Sequence, residues 1–329
     1  MKNQYTADDI RKRPGLFVRC CDIRGVYHLV FEFVKEIIKN SHKANVFMEI
    51  HLDECETFNI TCTFFTGIND LFSLEVIKAL SCIFDMRVEQ DSFKIKFKPD
   101  REIFSYDTIE YHKLFGRLKE LAQLNKNMKF LLANHENKNV IQFHRGLESI
   151  LLEGIYDFGL TKDCRPLNID FSKDDIEVSI SAIYTYAADV TLSYVNHEKT
   201  QDGGTHVQGL LDGIFYAFQE YIQNADIKPV KDHPLFYLKE RVTETPHIFD
   251  KNPNILMEDV IENLNFVISV LMPQPAFVGS VRRKLTNEEV YSIVKNGVME
   301  NMGAKLDSDQ SFLNSSRVVQ KAEIRKILL

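Results

Sequence analysis

The apolar residues of this chain recur at two different spacings, and the alternation between the two limits the fold more than any other feature. Over residues 24–45 they return every three or four positions, as in one amphipathic helix. Other segments alternate or run apolar over strand lengths, namely residues 46–52, 57–64, 84–89 and 93–97. Helical spacing returns over residues 71–82 and 107–124. The first half therefore predicts a mixed fold of strands and helices.

The second half repeats this mixture in a different order. Residues 176–186 and 189–196 have strand-like patterns, and their short Ala-Ala-Asp connection predicts a β-hairpin. A helix follows a glycine turn at residues 202–205, and a buried strand is predicted over residues 265–271. The length of 329 residues suggests two domains, which we place at residues 1–160 and 161–329.

Charge and cysteine content narrow the classes of function. The chain has 40 Lys and Arg against 47 Asp and Glu, a net charge of −7, so a general cationic surface for DNA is excluded and any DNA contact is expected to be weak or absent. Lys94, Lys96 and Lys98 alternate on one strand, a stripe more typical of a protected sheet edge than of a phosphate site. Six cysteines without C-x-x-C spacing predict buried, reduced thiols in a cytoplasmic protein. No apolar run reaches the roughly 20 residues of a membrane span.

Glycine is scarce. There are 14 glycines in 329 residues, and no G-x-G sequence occurs. Glycine-rich loops are the usual means by which backbone amides approach the phosphates of a nucleotide. The sequence therefore argues against such a phosphate cradle, and it predicts no metal site of its own.

Three separated segments carry a family resemblance. The first has the sequence I-R-K-R-P-G at residues 10–15 and G-V-Y-H-L-V-F-E at residues 25–32. The second has Y-V-N at 194–196 and D-G-G-T-H at 202–206, and the third has E-D-V-I-E-N-L at 258–264, P-Q-P-A-F at 273–277 and K-L at 284–285. In this order they resemble the ATPase and transducer domains of the B subunit of DNA gyrase and its type IIA topoisomerase relatives. The resemblance implies an α+β chain, with a GHKL (Bergerat-type) α/β sandwich followed by a gyrase-B-like transducer domain containing a left-handed βαβ unit.

The same resemblance assigns two positions on the first long helix. Glu32 falls on the family's general base, which activates the attacking water. Glu36 stands where the family has the asparagine that binds Mg²⁺, so a carboxylate there would repel a triphosphate unless a cation lay between them. A metal held by Glu32 and Glu36 is one interpretation. A solvated helix face, with charges offset by Lys35 and Lys39, is the favoured alternative.

Other nucleotide-site positions are mostly substituted. Thr63 stands where the family has its adenine-recognising aspartate, and only Gly67 and Ile68 of that motif remain. In the transducer-like half, Arg282 stands at the lysine that contacts the γ-phosphate, and Ser280 replaces the preceding glutamine. A cluster of charges on a solvated loop explains Arg282 equally well.

The family's ATP lid is missing from the sequence. Residues 68–70 lead almost directly into residues 73–81, which resemble the helix after the lid, and the glycine-rich phosphate cradle has no counterpart. We also expect no DNA cleavage centre, because no toprim-like carboxylate cluster follows the transducer-like segment in this sequence. Only residues 1–6 precede the first helix, so dimerisation by exchange of an N-terminal arm is not expected, although a homodimer of another kind is possible.

These observations predict a degenerate member of the family. ATP and Mg²⁺ are the cofactors that the resemblance implies, but the missing lid and the lost metal ligand predict a pseudo-ATPase that acts as a binding or regulatory module, with a gyrase or topoisomerase subunit as the partner. The alternative is an ATP-binding subunit of a type II topoisomerase-like system whose missing parts come from another chain. A third hypothesis is a different small ligand in a site shaped by Phe64 and Phe65.

Overall fold

The chain divides into two units, Met1–Gly146 and Leu147–Leu329. The computed structural model describes residues 5–41, 44–63, 71–155, 165–186, 189–224, 255–279, 281–309 and 311–321. The division falls earlier than residue 160, where the sequence placed the domain boundary. The reason is that helix Leu147–Ile155 packs on strands of the second unit.

The first unit is built on a six-stranded sheet. Its helices are α1 (Ala7–Lys12), α2 (Gly15–Val18), α3 (Ile23–Asn40), α4 (Phe72–Ala79) and α5 (Tyr111–Leu124). Its strands are β1 (Val46–Leu52), β2 (Phe58–Thr63), β3 (Ser81–Val88), β4 (Ser92–Pro99), β5 (Met128–Ala133) and β6 (Lys138–Ile141). The strand order is β3-β4-β2-β1-β5-β6, and every neighbouring pair is antiparallel except β1 with β5.

Helix α3 covers the buried face of this sheet. The Asp22 carboxylate caps the helix by accepting a hydrogen bond from the Arg24 amide at 2.9 Å. The apolar stripe of α3 is fully buried, and the ring of Phe33 meets that of Phe93 on β4 edge to face at 6.1 Å. Along β2 and β4 alternate residues are buried, so each strand has one face toward the helices and one face away from them.

The second unit contains a five-stranded sheet. Its helices are α6 (Leu147–Ile155), α7 (Thr205–Asn224), α8 (Met257–Ile261), α9 (Glu288–Ser308) and α10 (Ser311–Ser316). Its strands are β7 (Leu167–Lys173), β8 (Ile176–Tyr184), β9 (Thr191–Val195), β10 (Glu198–Lys199) and β11 (Leu264–Leu271), in the order β10-β9-β11-β8-β7. Strands β9 and β11 are parallel, and helix α7 lies between them in sequence, so the three form the expected βαβ unit. The left-handed sense of this unit stays a prediction.

The predicted hairpin of the second unit is wrong. Strand β11 lies between β8 and β9, so these two strands do not pair with each other. The buried side chain of Asn265 holds both ends of their connection. It accepts a hydrogen bond from the Val190 amide at 2.7 Å and donates to the Thr185 carbonyl at 3.1 Å. These polar bonds come from a residue distant in sequence, so the local pattern could not predict them.

Two expectations about surface residues also fail. Lys94, Lys96 and Lys98 lie on β4, which is an interior strand, so they do not protect a sheet edge. Among the cysteines that the structure describes, Cys62 is buried, whereas Cys55 and Cys82 are exposed.

Within the described residues, no helix is both long enough and apolar enough to cross a membrane. The polar insertion predicted over residues 224–254 lies almost wholly outside the described residues.

Candidate functional site

The Glu36 carboxylate binds the N-terminus of helix α4. Its Oε1 accepts a hydrogen bond from the Phe72 amide at 3.0 Å, and its Oε2 accepts one from the Ser73 amide at 2.8 Å. The Ser73 hydroxyl also donates to Oε2. Leu71, which precedes the helix, provides no side-chain cap. Glu36 therefore supplies the acceptor and the negative charge that the free amides and the dipole of a helix N-terminus favour.

Glu32 lies one turn earlier on α3 and has different partners. Its Oε1 accepts a hydrogen bond from Lys35 Nζ at 2.5 Å and lies 3.5 Å from His28 Nδ1. The Lys35 side chain is only 11% exposed, whereas that of Glu32 is 40% exposed. The largely buried Lys35 side chain thus neutralises Glu32 directly, which is closer pairing than the solvated face expected from the sequence.

The two glutamates do not form a shared metal site. Glu36 points to α4, and Glu32 is paired with Lys35. Among the described residues, no group of three or more His, Cys, Asp or Glu side chains is arranged to hold a metal ion. The donors present here do not fit a Mg²⁺ ion, which prefers several oxygen ligands in near-octahedral geometry.

Thr63 lies on the side of the sheet away from the glutamates. It is the last residue of β2, on the half-buried face with Asn59 and Thr61. Its hydroxyl donates to the Phe47 carbonyl at 3.3 Å. The opposite face of β2 carries Ile60 and Cys62 into the core beneath α3. The structure therefore does not bring Thr63 together with Glu32 and Glu36.

The remaining positions expected at the nucleotide site cannot be placed together with them. Gly67 and Ile68 lie outside the described residues, as do Phe64, Phe65 and Ser280. Arg282 belongs to the second unit, where it is exposed and has a left-handed backbone with φ of 57°.

Two motifs of the second unit meet at one point. Gly204, with φ of +135°, lies against Leu285, and a Cβ at this glycine would be 2.3 Å from the Leu285 carbonyl oxygen. Arg283 forms an ion pair with Asp202 at 2.9 Å. The D-G-G-T-H turn therefore supports the base of the loop that carries Arg282.

A buried polar chain continues from this turn. His206 is fully buried, and its Nε2 lies 3.1 Å from Thr200 Oγ1, which in turn lies 2.7 Å from Ser193 Oγ. His206 Nδ1 has no hydrogen-bond partner within the described part of the chain. Burial lowers the pKa of His206 to about 4, so its imidazole is neutral at pH 7.

The sequence did not reveal the contact between Glu36 and Ser73. In the sequence, Glu36 lies near Lys35 and Lys39 on its own helix, and Ser73 lies in the segment that resembles the helix after the missing lid. A serine in the first turn of a helix that lacks a capping residue was the available signal. The signal does not identify its partner, because 37 positions separate the two residues.

The architecture of the two units is that of the ATPase region of type IIA topoisomerases. The structure is similar to the 43K ATPase domain of Thermus thermophilus gyrase B in complex with an aminocoumarin, with a TM-score of 0.77, 20% identity and coverage of 97% of this chain and 94% of that one. It is also similar to the topoisomerase IV ATP-binding domain of Francisella tularensis, with a TM-score of 0.67, 21% identity and coverage of 96% and 97%.

The chain belongs to the DNA gyrase B family. The model of that family matches residues 130–326, more than half of the chain. The chain is 26% identical to the B subunit of DNA gyrase from Halalkalibacterium halodurans, over 86% of this chain and 52% of that protein. It is 24% identical to the B subunit of DNA topoisomerase 4 from Bacillus subtilis, over 95% and 54%. The chain thus spans about half the length of these relatives.

Proposed function

We propose that this chain is a cytoplasmic gyrase-B-like scaffold that does not turn over ATP and acts as a binding or regulatory module. The observation that carries the proposal is the Glu36 carboxylate on the Phe72 and Ser73 amides. By the family resemblance, α4 corresponds to the helix whose N-terminus holds the nucleotide phosphates. In this chain an internal anion supplies the charge that a phosphate would otherwise bring.

Electrostatics makes this arrangement unfavourable for a nucleotide. Two like charges 4 Å apart repel by about 4 kcal/mol at an effective dielectric constant near 20, which corresponds to roughly a thousandfold in affinity. A triphosphate would have to displace Glu36 from α4 or bind beside its charge. Among the described residues, no cluster of metal ligands is present that could hold a cation between the two charges.

The retained Glu32 does not restore hydrolysis. A general base contributes about 10² to 10⁴-fold to a reaction rate. Most of the stabilisation in phosphoryl transfer comes from positioned amides, cations and magnesium. Glu32 is moreover bound to Lys35, so its carboxylate already has a partner within the chain.

Calorimetric titration with a non-hydrolysable ATP analogue and Mg²⁺ tests the proposal. We expect no binding to the wild-type chain at nucleotide concentrations up to about 1 mM. Glu36→Asn restores the residue type of the family and removes the charge, so measurable binding by this variant would identify Glu36 as the block. Glu32→Ala, one turn away, is the control and should behave as the wild type. Micromolar, Mg²⁺-dependent binding by the wild type would overturn the proposal.

The same titration distinguishes the second candidate. Retention of Glu32 at the general-base position favours an ATP-binding subunit of a type II topoisomerase-like system, with the missing parts on another chain. This function requires nucleotide binding, ATP-dependent dimerisation and DNA-stimulated turnover. Absence of all three would leave the scaffold function.

A gyrase or topoisomerase subunit is the partner that we propose for the scaffold. Its support is the shared architecture, since a chain that folds like the ATPase region can occupy or block surfaces that recognise that region. Co-sedimentation with purified gyrase subunits, without nucleotide, is the direct test. If the chain sediments alone at about 10 µM of each protein, this partner is ruled out at physiological affinity.

A further inference from the structure

Strand β3 forms an open edge of the first sheet. Within the part of the chain that the structure describes, it pairs only with β4. Its eight residues exceed the four of β6 at the opposite edge. Long edges are usually protected by charged residues, especially lysine, by proline or by a bulge. Strand β3 contains no lysine or proline, its two charges are of opposite sign, and its single irregularity lies at its beginning, between Ser81 and Ile83.

The backbone of β3 presents unused hydrogen-bonding groups to this edge. The Glu89 amide donates to the Ser92 carbonyl at 2.8 Å, so it points toward β4. The backbone amide and carbonyl groups of successive residues in a strand point alternately to its two edges. The amides and carbonyls of Phe84, Met86 and Val88 therefore point away from β4, toward the open edge.

The side chains of β3 are arranged in two different rows. Phe84 and Met86 lie on the face that contacts the core, and Val88 continues this row with 53% of its surface exposed. The opposite face carries Ile83, which is 44% exposed, and then Asp85 and Arg87, whose side chains are 60% and 78% exposed and whose charged groups lie 3.6 Å apart. One face of the edge is thus apolar, and the other carries one negative and one positive charge.

We infer that β3 pairs antiparallel with β3 of a second copy of this chain, about a two-fold axis at Met86. In that register Asp85 lies opposite Arg87 of the second copy, and Arg87 lies opposite Asp85. On the other face Met86 meets Met86, and Phe84 meets Val88. The strand is therefore complementary to itself in charge and in apolar contact, and the two six-stranded sheets join into one.

Of the registers centred on Asp85, Met86 or Arg87, the one centred on Met86 satisfies both faces. A shift that centres the axis on Asp85 places two aspartates opposite each other, and a shift that centres it on Arg87 places two arginines opposite each other. Like charges directly opposite across a strand pair destabilise it. A shift by one residue brings core-facing residues opposite solvent-facing ones, which the pleat does not allow.

Charge reversal at Asp85 and Arg87 tests the pairing. Sedimentation velocity from about 1 to about 300 µM should show a reversible monomer–dimer equilibrium for the wild type. Asp85→Arg and Arg87→Asp should each weaken dimerisation by about tenfold or more, because each creates two repulsive pairs. The double variant D85R/R87D restores opposite charges in the same register and should recover the wild-type equilibrium. Both side chains are exposed, but Asp85 lies opposite Lys96 and Arg87 lies opposite Lys94 on β4, so circular dichroism is used to verify that each variant is folded.

Two results would overturn the inference. A wild-type chain that stays monomeric across the whole range would show that the edge does not pair. A wild-type dimer that neither single reversal weakens, or that the double variant does not restore, would place the interface elsewhere. Because the test contains no nucleotide, its outcome is independent of the titration that tests the scaffold function.

Discussion

The contact between Glu36 and helix α4 leads to the most direct prediction about stability. Glu36→Ala removes the acceptors of the Phe72 and Ser73 amides and the negative charge at that helix end. Loss of an N-terminal cap costs about 0.5–2 kcal/mol, and loss of the charge at the helix dipole adds about 0.3–1 kcal/mol. We therefore expect the free energy of unfolding of the first unit to fall by about 2 kcal/mol.

Glu32→Ala is the matched control. It lies one turn away on the same helix, so both substitutions change helix propensity equally. It removes an ion pair in which the Glu32 side chain is 40% exposed and that of Lys35 is 11% exposed, for which we expect a loss of about 1 kcal/mol. The difference between the two variants therefore isolates the contact with α4.

Two measurements detect this difference in stability between the variants. The chain contains no tryptophan, so urea unfolding is monitored by far-ultraviolet circular dichroism. Hydrogen exchange, read by mass spectrometry, should be faster by about tenfold in the first turn of α4 in Glu36→Ala, with α9 of the second unit as an internal reference. If Glu36→Ala is no less stable than Glu32→Ala and α4 exchanges as in the wild type, Glu36 does not hold this helix, and the basis of the proposed function fails.

Three further predictions concern other parts of the chain. The folded pKa of His206 is about 4, below its ordinary value of 6.5, so stability should be complete above pH 6.5 and fall by about 3 kcal/mol as the pH drops to 4. His206→Gln should lose this component of the pH dependence, and an unchanged slope would contradict the assignment. Gly204→Ala should destabilise the second unit by about 3 kcal/mol or more, because φ is positive at this residue and the Leu285 carbonyl lies against it. Gly116→Ala is the control and should be tolerated, because a Cβ at Gly116 meets no atom within 4 Å. Equal losses of stability in the two variants would refute the role of Gly204. Burial raises the pKa of the Cys62 thiol to about 12, so iodoacetamide should modify exposed Cys55 in the folded chain and Cys62 only after unfolding, and early labelling of Cys62 would show that β2 opens.

Most elements could be predicted from the sequence because their signals are local. The apolar stripe of α3 and the alternation along β1, β2 and β4 lie within single segments, and the structure has helices and strands there. The predicted hairpin failed because two strands adjacent in sequence also had a distant strand available. β11 pairs with both of them, and no pattern within residues 176–196 contains that information.

The candidate site shows the same limit at the level of single residues. The motifs located Glu32 and Glu36 one turn apart on a helix, and the structure agrees. The alternation along β2 places Thr63 on the same face as Asn59 and Thr61. The local pattern does not say which of the two faces meets α3, because that depends on where the helix packs on the sheet.

The sequence by itself determined the family and the two-part α+β architecture. Position 204 requires glycine because the backbone of Leu285 approaches it closely. The spacing of the apolar residues follows from the period of the helix and of the strand. Only the tertiary structure decided what Glu36 contacts and which strands lie at the edges of the first sheet. The physical reason is that a carboxylate on a helix surface can meet solvent, a cation or a distant helix end, and only the path of the chain brings Ser73 within hydrogen-bonding distance of Glu36.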